Sequence, residues 1–312
     1  MPNPQTGYPG EITRGDLITD IPFHLFKTQA GKLQGLSVCM TGQDQFCPVM
    51  QAGTLGIYIE KGKRHMKITI KSMKESILFL ISFLFHGNKK LTDFDDDKTG
   101  VKYRYSQWNL PAKKTCPFAT ILCKKFCYAK RDERYDSVRL NRERSLAASK
   151  LANFADCMEH TIKTGFMMKR YIDAVMILRI HESGDFYCME YFRKWLDVFG
   201  RFESSENIIF TFYTKCFDYL LSMTAKEKAL FRRLNDSGRV SVSLSIDEST
   251  TKEQLAKAMK LRKLFPSVNI YYAIDADKVE TIKHDYVCEC ADCAKCGKCP
   301  HADGKIIACA IH

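Results

Sequence analysis

The sequence predicts an α/β protein in which parallel βα repeats wrap into an open sheet or a partial, TIM-like barrel. Two observations carry this. Short Val- and Ile-rich runs recur at 174–180, 208–213, 240–246, 270–274 and 306–311, and between them segments at 189–198, 217–235 and 251–264 repeat apolar residues at helical spacing. Strands that alternate with helices read as βα units of a parallel sheet, stacked by right-handed crossovers. A third observation bears on function: each strand ends in polar residues, and ligands gather where parallel strands reach their carboxyl ends.

At 312 residues the chain can form one large domain with appendages. The expected division is an N-terminal, β-containing extension over 1–86, the βα partial barrel over 87–287, and a Cys-rich metal-binding tail over 288–312. Within the extension, Gly56-Ile57-Tyr58-Ile59-Glu60 alternates at period 2 and is followed by a basic run, which predicts a hairpin turning at Lys61-Gly62-Lys63. That tip could touch phosphate, although lysine-rich turns are also ordinary solvated surface. The apolar run 77–85 has nine residues, far short of the roughly 20 a spanning helix needs, so no membrane partner is expected. Residues 1–10 lack the basic-then-apolar layout of a secretory leader, and the expected location is the cytoplasm, that of the host cell for a phage-encoded chain. The polar stretch 92–100 reads as a linker.

Lys and Arg number 48 against 36 acidic residues, a net charge of +12. That balance favours an anionic partner, either a phosphorylated substrate or a nucleic acid.

The densest chemistry is a run with cysteines at 116, 123 and 127, spaced C-x6-C-x3-C. Pro117 forces a turn after the first, and three thiols within twelve residues make a ligand loop. Fourteen cysteines without a secretory leader fit a reducing compartment, where thiols bind metal rather than pair. All-sulfur sets select zinc or iron-sulfur clusters. Three thiolates leave a tetrahedral set one short, which suits a 4Fe-4S cluster with one open iron, or zinc completed by a distant ligand such as His181.

After the loop, 132–164 reads as a long helix ending at Gly165. The first strand end then gives His181-Glu182-Ser183-Gly184-Asp185. Gly184 would let backbone approach a ligand, an acid beside this turn can receive an amine, and His181 can ligate metal or shuttle a proton. The same residues could simply cap the following helix. Lys215, ending the next strand, suits an anion or carboxylate contact. Cys157 and Cys188 sit at helical positions as small core residues.

The tail repeats C-x-x-C at Cys290, Cys293, Cys296 and Cys299, with Cys288 just before and His301 and Cys309 nearby. Such runs ligate ferredoxin-type clusters, and a zinc knuckle fits equally in ligand type. Five or six thiols exceed the four that one site uses.

Several segments together resemble the phage and plasmid family known as gene product 88. They include Gly87-Asn88-Lys89-Lys90-Leu91, Leu110-Pro111-Ala112, Thr115-Cys116-Pro117, Cys123 and Phe126-Cys127-Tyr128-Ala129. Arg179-Ile180-His181, Ser183-Gly184-Asp185-Phe186, Tyr191, Trp195, Tyr213-Thr214-Lys215, the Cys-rich tail and His312 continue the likeness in order, from about Gly87 to the end. That family in turn looks like a divergent relative of radical S-adenosylmethionine enzymes. There, three cysteines after the first strand hold a 4Fe-4S cluster, an aromatic residue precedes the last, and a Gly-rich acidic turn meets the methionine amine. The usual spacing is C-x3-C-x2-C, shorter than the spacing here. The resemblance implies that Cys116, Cys123 and Cys127 hold the cluster. It also implies that Phe126, Tyr128, Glu182, Ser183, Gly184 and Asp185 surround S-adenosylmethionine, with His181, Asp185 and Lys215 nearest the chemistry. A reductant such as a flavodoxin or ferredoxin would then supply electrons. The competing expectation is a zinc- or cluster-stabilised nucleic-acid-binding protein of phage or plasmid origin.

Overall fold

The computed structural model describes residues 37–40, 46–49, 55–61, 64–70, 94–96, 99–166, 172–288 and 298–311. In the N-terminal part, β1 (Ser37–Met40), β2 (Phe46–Val49), β3 (Leu55–Lys61) and β4 (Arg64–Ile70) form a sheet in the order β2-β1-β3-β4. Strands β3 and β4 are antiparallel with Lys61 opposite Arg64, while the expected turn residues Gly62 and Lys63 lie outside the described residues. The apolar run 77–85 and the tail cysteines at 290, 293 and 296 lie outside the described residues.

The stretch expected as a linker contains β5 (Phe94–Asp95), which pairs antiparallel with β6 (Lys102–Trp108). From β6 onward every pairing is parallel: β6 with β7 (Ala174–Ile180), β7 with β8 (Ile208–Thr214), β8 with β9 (Val240–Asp247) and β9 with β10 (Asn269–Asp275). The last two strands break sequence order. β12 (Ile306–Ile311) lies against β10, and β11 (Tyr286–Cys288) pairs on the outer side of β12. Seven parallel strands thus curl into a half-barrel with helices packed on its outside.

Period-2 alternation decides which face each strand shows. On β7, Met176, Leu178 and Ile180 enter the core beneath the helices, whereas Val175 and Ile177 pack inside with Tyr105 and Ile209. Strand β9 does the same with different chemistry. Its Val240, Val242, Leu244 and Ile246 join the helix-side core, leaving Ser241, Ser243 and Ser245 on the other face.

Helix α5 (Met189–Arg201) supplies the matching stripe of Tyr191, Phe192, Trp195, Leu196, Val198 and Phe199. Phe199 stacks on Phe212 with centroids 6.0 Å apart, and each such aromatic contributes about 2–3 kcal/mol by leaving water.

Two long helices expected from periodicity are interrupted. The segment after the cysteine loop divides into α2 (Tyr128–Asp132), α3 (Asp136–Ser149) and α4 (Phe154–Phe166), following α1 (Ile121–Lys125). The Ser149 hydroxyl donates back to the Leu146 carbonyl, a local bond that competes with continuation of α3. The segment 217–235 divides into α6 (Phe217–Leu221) and α7 (Ala225–Asp236) because Thr224 and Glu227 form a capping box. Helix α8 (Lys252–Leu264) starts at Thr251, whose hydroxyl accepts from Gln254 N. No helix among the described residues is long and apolar enough to cross a membrane.

Candidate functional site

A cavity of about 620 Å³ opens at the carboxyl ends of the parallel strands. Cys116, Cys123 and Cys127 line one side of it, and the turn from His181 to Asp185 together with Lys215 lines another. The sequence placed all of these at the mouth of a βα scaffold, and the fold gathers them around one space.

The cysteine loop is held from three directions. Thr120 caps α1 by accepting from Cys123 N at 3.2 Å, while its own hydroxyl donates to Asp247 Oδ2 at 2.5 Å. Leu122 N donates to Ser249 Oγ at 3.0 Å, so the end of β9 grips the first turn of α1. Upstream, Ala112 N donates to the buried Glu133 carboxylate at 2.6 Å, and Arg142 donates to that carboxylate and to the Ala129 carbonyl. These bonds fix a loop whose short helices could not stand alone.

The three thiols line the same cavity. Burial pushes the Cys116 thiol up to about 12, reinforced by the Asp185 charge and, to a lesser degree, by Cys123 and Cys127. Burial also raises Cys123, against the pull of the Lys215 ammonium and with a further push from Cys127. Cys123 is exposed, and the other two are half-buried. Cys116 and Cys123, so placed, ionise readily only when a cation compensates them, which is what a soft metal centre supplies. Among the described residues, no three Cys, His, Asp or Glu side chains form a set for a single metal ion. A cluster distributes its thiolates over several irons, so its ligands need not converge on one point, and three thiols fit that donor chemistry.

The 181–185 turn lines the cavity while its side chains hold structure. Ser183 Oγ donates to the Leu110 carbonyl at 2.8 Å and Ser183 N donates to Asn109 Oδ1, tying the turn to the strand β6 exit. Gly184 has φ +87°, and a Cβ there would lie 2.6 Å from Thr115 Oγ1 and 2.7 Å from Leu110 Cβ. Asp185 N donates to the Thr115 carbonyl, so this turn and the start of the cysteine loop are stitched together.

Asp185 is buried and its carboxylate is engaged. Oδ1 accepts from Thr214 Oγ1 and Phe186 N at 2.8 Å each, and Oδ2 accepts from Lys215 N at 3.0 Å. Burial raises its carboxyl and outweighs these bonds. Asp185 therefore couples the β7 and β8 exits while lining the cavity, and the half-buried Glu182, which accepts from Asn109 Nδ2 at 3.5 Å, lines it too. Tyr128 reaches the same turn, donating to the Glu182 carbonyl at 2.9 Å, and Phe126 is exposed beside it.

Lys215 is committed as well. Its ammonium donates to Asp247 Oδ2 at 2.9 Å and to the Ser245 carbonyl at 3.2 Å. Burial pushes the Asp247 carboxyl upward, but the Lys215 charge and the Thr120 and Ser249 hydroxyls outweigh it and hold it below the usual carboxylate range.

His181, with φ +64°, is buried, and Nε2 meets the Tyr191 hydroxyl at 2.9 Å, which in turn accepts from Trp108 Nε1 at 2.9 Å. Burial pushes its imidazole down to about 3, so it is neutral across the physiological range. That state suits a positioned hydrogen-bonding group better than a proton shuttle.

On the far wall the cavity meets Cys288, Cys299 and Cys309. Cys288 stands in register with Cys309 across β11 and β12, and the Tyr286 hydroxyl donates to Cys299 Sγ at 3.7 Å. A hydrogen bond that the Cys299 thiol donates to Cys288, together with burial, pushes Cys299 well above the ordinary thiol range. Spacing alone ties Cys309 only loosely to the tail, because its pairing with Cys288 is a matter of strand register. Sequence reasoning also missed Tyr271, which lies edge-on to Tyr213 at 4.8 Å inside the half-barrel, with the Arg179 guanidinium 5.0 Å from the Tyr213 ring. Period-2 alternation along β10 could have signalled it, since Tyr271 and Ala273 share one face.

No curated protein and no solved structure matches the chain. The sequence profile described as Gene product 88 matches residues 81–302, which covers more than two thirds of the chain and every described wall of the cavity except Cys309 and Ala310. The chain belongs to the gene product 88 family.

Proposed function

We propose that the chain is an iron-sulfur enzyme resembling radical S-adenosylmethionine enzymes, with Cys116, Cys123 and Cys127 holding a 4Fe-4S cluster. The observation that carries this reading is the neighbouring trio of thiols on one short loop, lining the same cavity as the 181–185 turn at the carboxyl mouth of a half-barrel. Such a cluster, when bound, supplies an iron with an open coordination position and an electron for reductive cleavage of S-adenosylmethionine.

The chain's own residues supply position and environment. Glu182 offers a carboxylate to the methionine amine, and Gly184 keeps the turn close to the loop. Phe126 and Tyr128 flank the last thiol. Lys215 and Asp185 act through the strand ends that they fix, and His181 contributes a neutral imidazole. The half-barrel wall around Tyr213 and Tyr271 borders the space left for substrate. The tail's C-x-x-C run, with Cys288 just before it, suits a second metal site by ligand type, a further cluster or zinc.

Anaerobic purification tests this directly. The expected result is a brown protein with several irons per chain that releases 5′-deoxyadenosine when reduced with S-adenosylmethionine. A colourless protein containing only zinc would overturn the reading. It would favour the second one, a metal-stapled nucleic-acid-binding protein, for which the exposed lysines of the cysteine loop speak.

A further inference from the structure

We propose that the substrate is a single-stranded nucleic acid, whose backbone lies on the basic, aromatic rim of the cavity and whose target base enters the half-barrel. The base-entry step rests on the reading of the cavity as an active site. The binding step stands without the cluster.

The rim is built from the short helices that carry the cysteines. Helices α1 and α2 have no acidic residue in their first turns and carry Lys124-Lys125 and Lys130-Arg131 in their last turns, with Asp132 closing α2; Phe126 and Arg131 line the cavity itself. Of these, Lys130 is paired with Glu133 at 2.8 Å. Aromatic rings stand among the cations: Lys125 lies 5.0 Å from the Phe126 ring and Arg134 lies 4.8 Å from the Tyr135 ring. Phe126 is 46% exposed and Tyr135 54%, so each presents ring surface to solvent. Exposed rings beside cations are the elements of a single-strand platform, on which bases stack while cations track the phosphates. A duplex keeps its base faces stacked and cannot use the rings.

The interior continues the same chemistry. Arg179 over Tyr213, with Tyr271 edge-on, presents a guanidinium and aromatic edges to the cavity, and Thr211 and Ser245 add hydroxyls suited to a base edge. The cavity volume of about 620 Å³ falls within the roughly 300–1,000 Å³ of small-ligand sites. A base drawn inside would sit within the space that the thiol trio borders, which is how enzymes acting on bases reach their target atom. An acidic electron carrier would match the rim's charge, but it would use neither the exposed rings nor the interior.

Fluorescence anisotropy with labelled oligonucleotides of about 12 residues, as RNA, as DNA and as duplex, tests the proposal on the full chain. Single strands should bind more tightly than the duplex, and the RNA and DNA arms identify the natural polymer. The double variant K124A/K125A should flatten the salt dependence of log affinity by about 1.4, and Phe126→Ala should weaken binding roughly tenfold. A fluorescent base analogue in the strand should change its emission on binding, and Arg179→Ala should abolish that change. No single-strand binding, equal duplex binding, or affinities indifferent to these variants would overturn the proposal. So would K124A/K125A weakening only the binding of an acidic flavodoxin. Iron content and 5′-deoxyadenosine release, measured on the same preparations, separate the two claims. Strand binding without iron would sink the cluster and leave the platform, whereas iron and cleavage without strand binding would do the reverse.

Discussion

Thr120 and Asp247, separated by 127 positions in the chain, are joined by a 2.5 Å hydrogen bond from the hydroxyl to Oδ2. The same carboxylate takes the Lys215 ammonium at 2.9 Å and, through Oδ1, the Ser249 hydroxyl at 2.7 Å. One acid at the end of β9 therefore anchors both the cap of α1 and the lysine at the end of β8. Asp247→Asn should leave Lys215, whose side chain is 11% exposed, without its counter-charge, at a cost of about 3 kcal/mol. Urea unfolding would measure that loss. Iron per chain should also fall although every cysteine remains, and unchanged iron would mean that the loop does not depend on this anchor.

Gly184 offers a sharper steric test. With φ +87° and a Cβ meeting Thr115 and Leu110 at under 3 Å, Gly184→Ala would be strained by both backbone and packing. A loss of about 2–4 kcal/mol is expected from the two together. Gly238 has φ +72° but nothing within 4 Å of its would-be Cβ, so Gly238→Ala should cost only about 1–2 kcal/mol. Thermal melts of the two variants side by side would read the difference. Equal shifts would show that the contact between the turn and the cysteine loop carries no weight.

Much of this arrangement was legible in the chain because alternation and softness are local signals. Val240, Val242, Leu244 and Ile246 declare one buried face of β9 without any tertiary information, and the close spacing of Cys116, Cys123 and Cys127 already places them together, as the cavity they line shows. The break between α6 and α7 was legible too, since Thr224-Ala225-Lys226-Glu227 carries the capping-box pattern, yet the surrounding apolar period masked it. What could not be read was partnership across the fold. Nothing in the spacing says that Asp185 spends its carboxylate on Thr214 and Lys215, or that Asp247 takes the Lys215 ammonium. The insertion of β12 between β10 and β11, which brings Cys309 against Cys288, is equally a property of topology.

His181 sets a pH dependence whose sign follows from burial. Its imidazole is held down to about 3 in the folded chain, whereas an unfolded histidine titrates near about 6.5. Above that upper value both states are neutral and the folded state keeps its full stability. As pH falls from about 6.5 toward 3 the unfolded chain alone takes up the proton, so stability is progressively lost. Between about pH 6.5 and 5 the loss from this residue should be roughly 2 kcal/mol. His181→Gln keeps a hydrogen-bonding group near Tyr191 and should remove that part of the slope. Urea titrations of both proteins at the two pH values would check it, and identical slopes would show that His181 gains a proton while folded.

If, as proposed, the loop thiols and the tail thiols hold separate metals around one cavity, the two should respond separately to cysteine replacement. Cys116, Cys123 and Cys127 belong to the loop after β6, whereas Cys288 and Cys309 belong to strands at the other end of the sheet. Each wall is fastened by its own bonds, Thr120 and Ala112 on the first and the β11–β12 pairing on the second. Cys123→Ala should therefore abolish the loop's iron while the tail keeps its metal, and Cys299→Ala should do the reverse. Iron and zinc per chain, with thermal melts to confirm folding, read both outcomes. Simultaneous loss of all metal from a still-folded Cys123→Ala variant would mean that the two thiol groups serve a single shared centre.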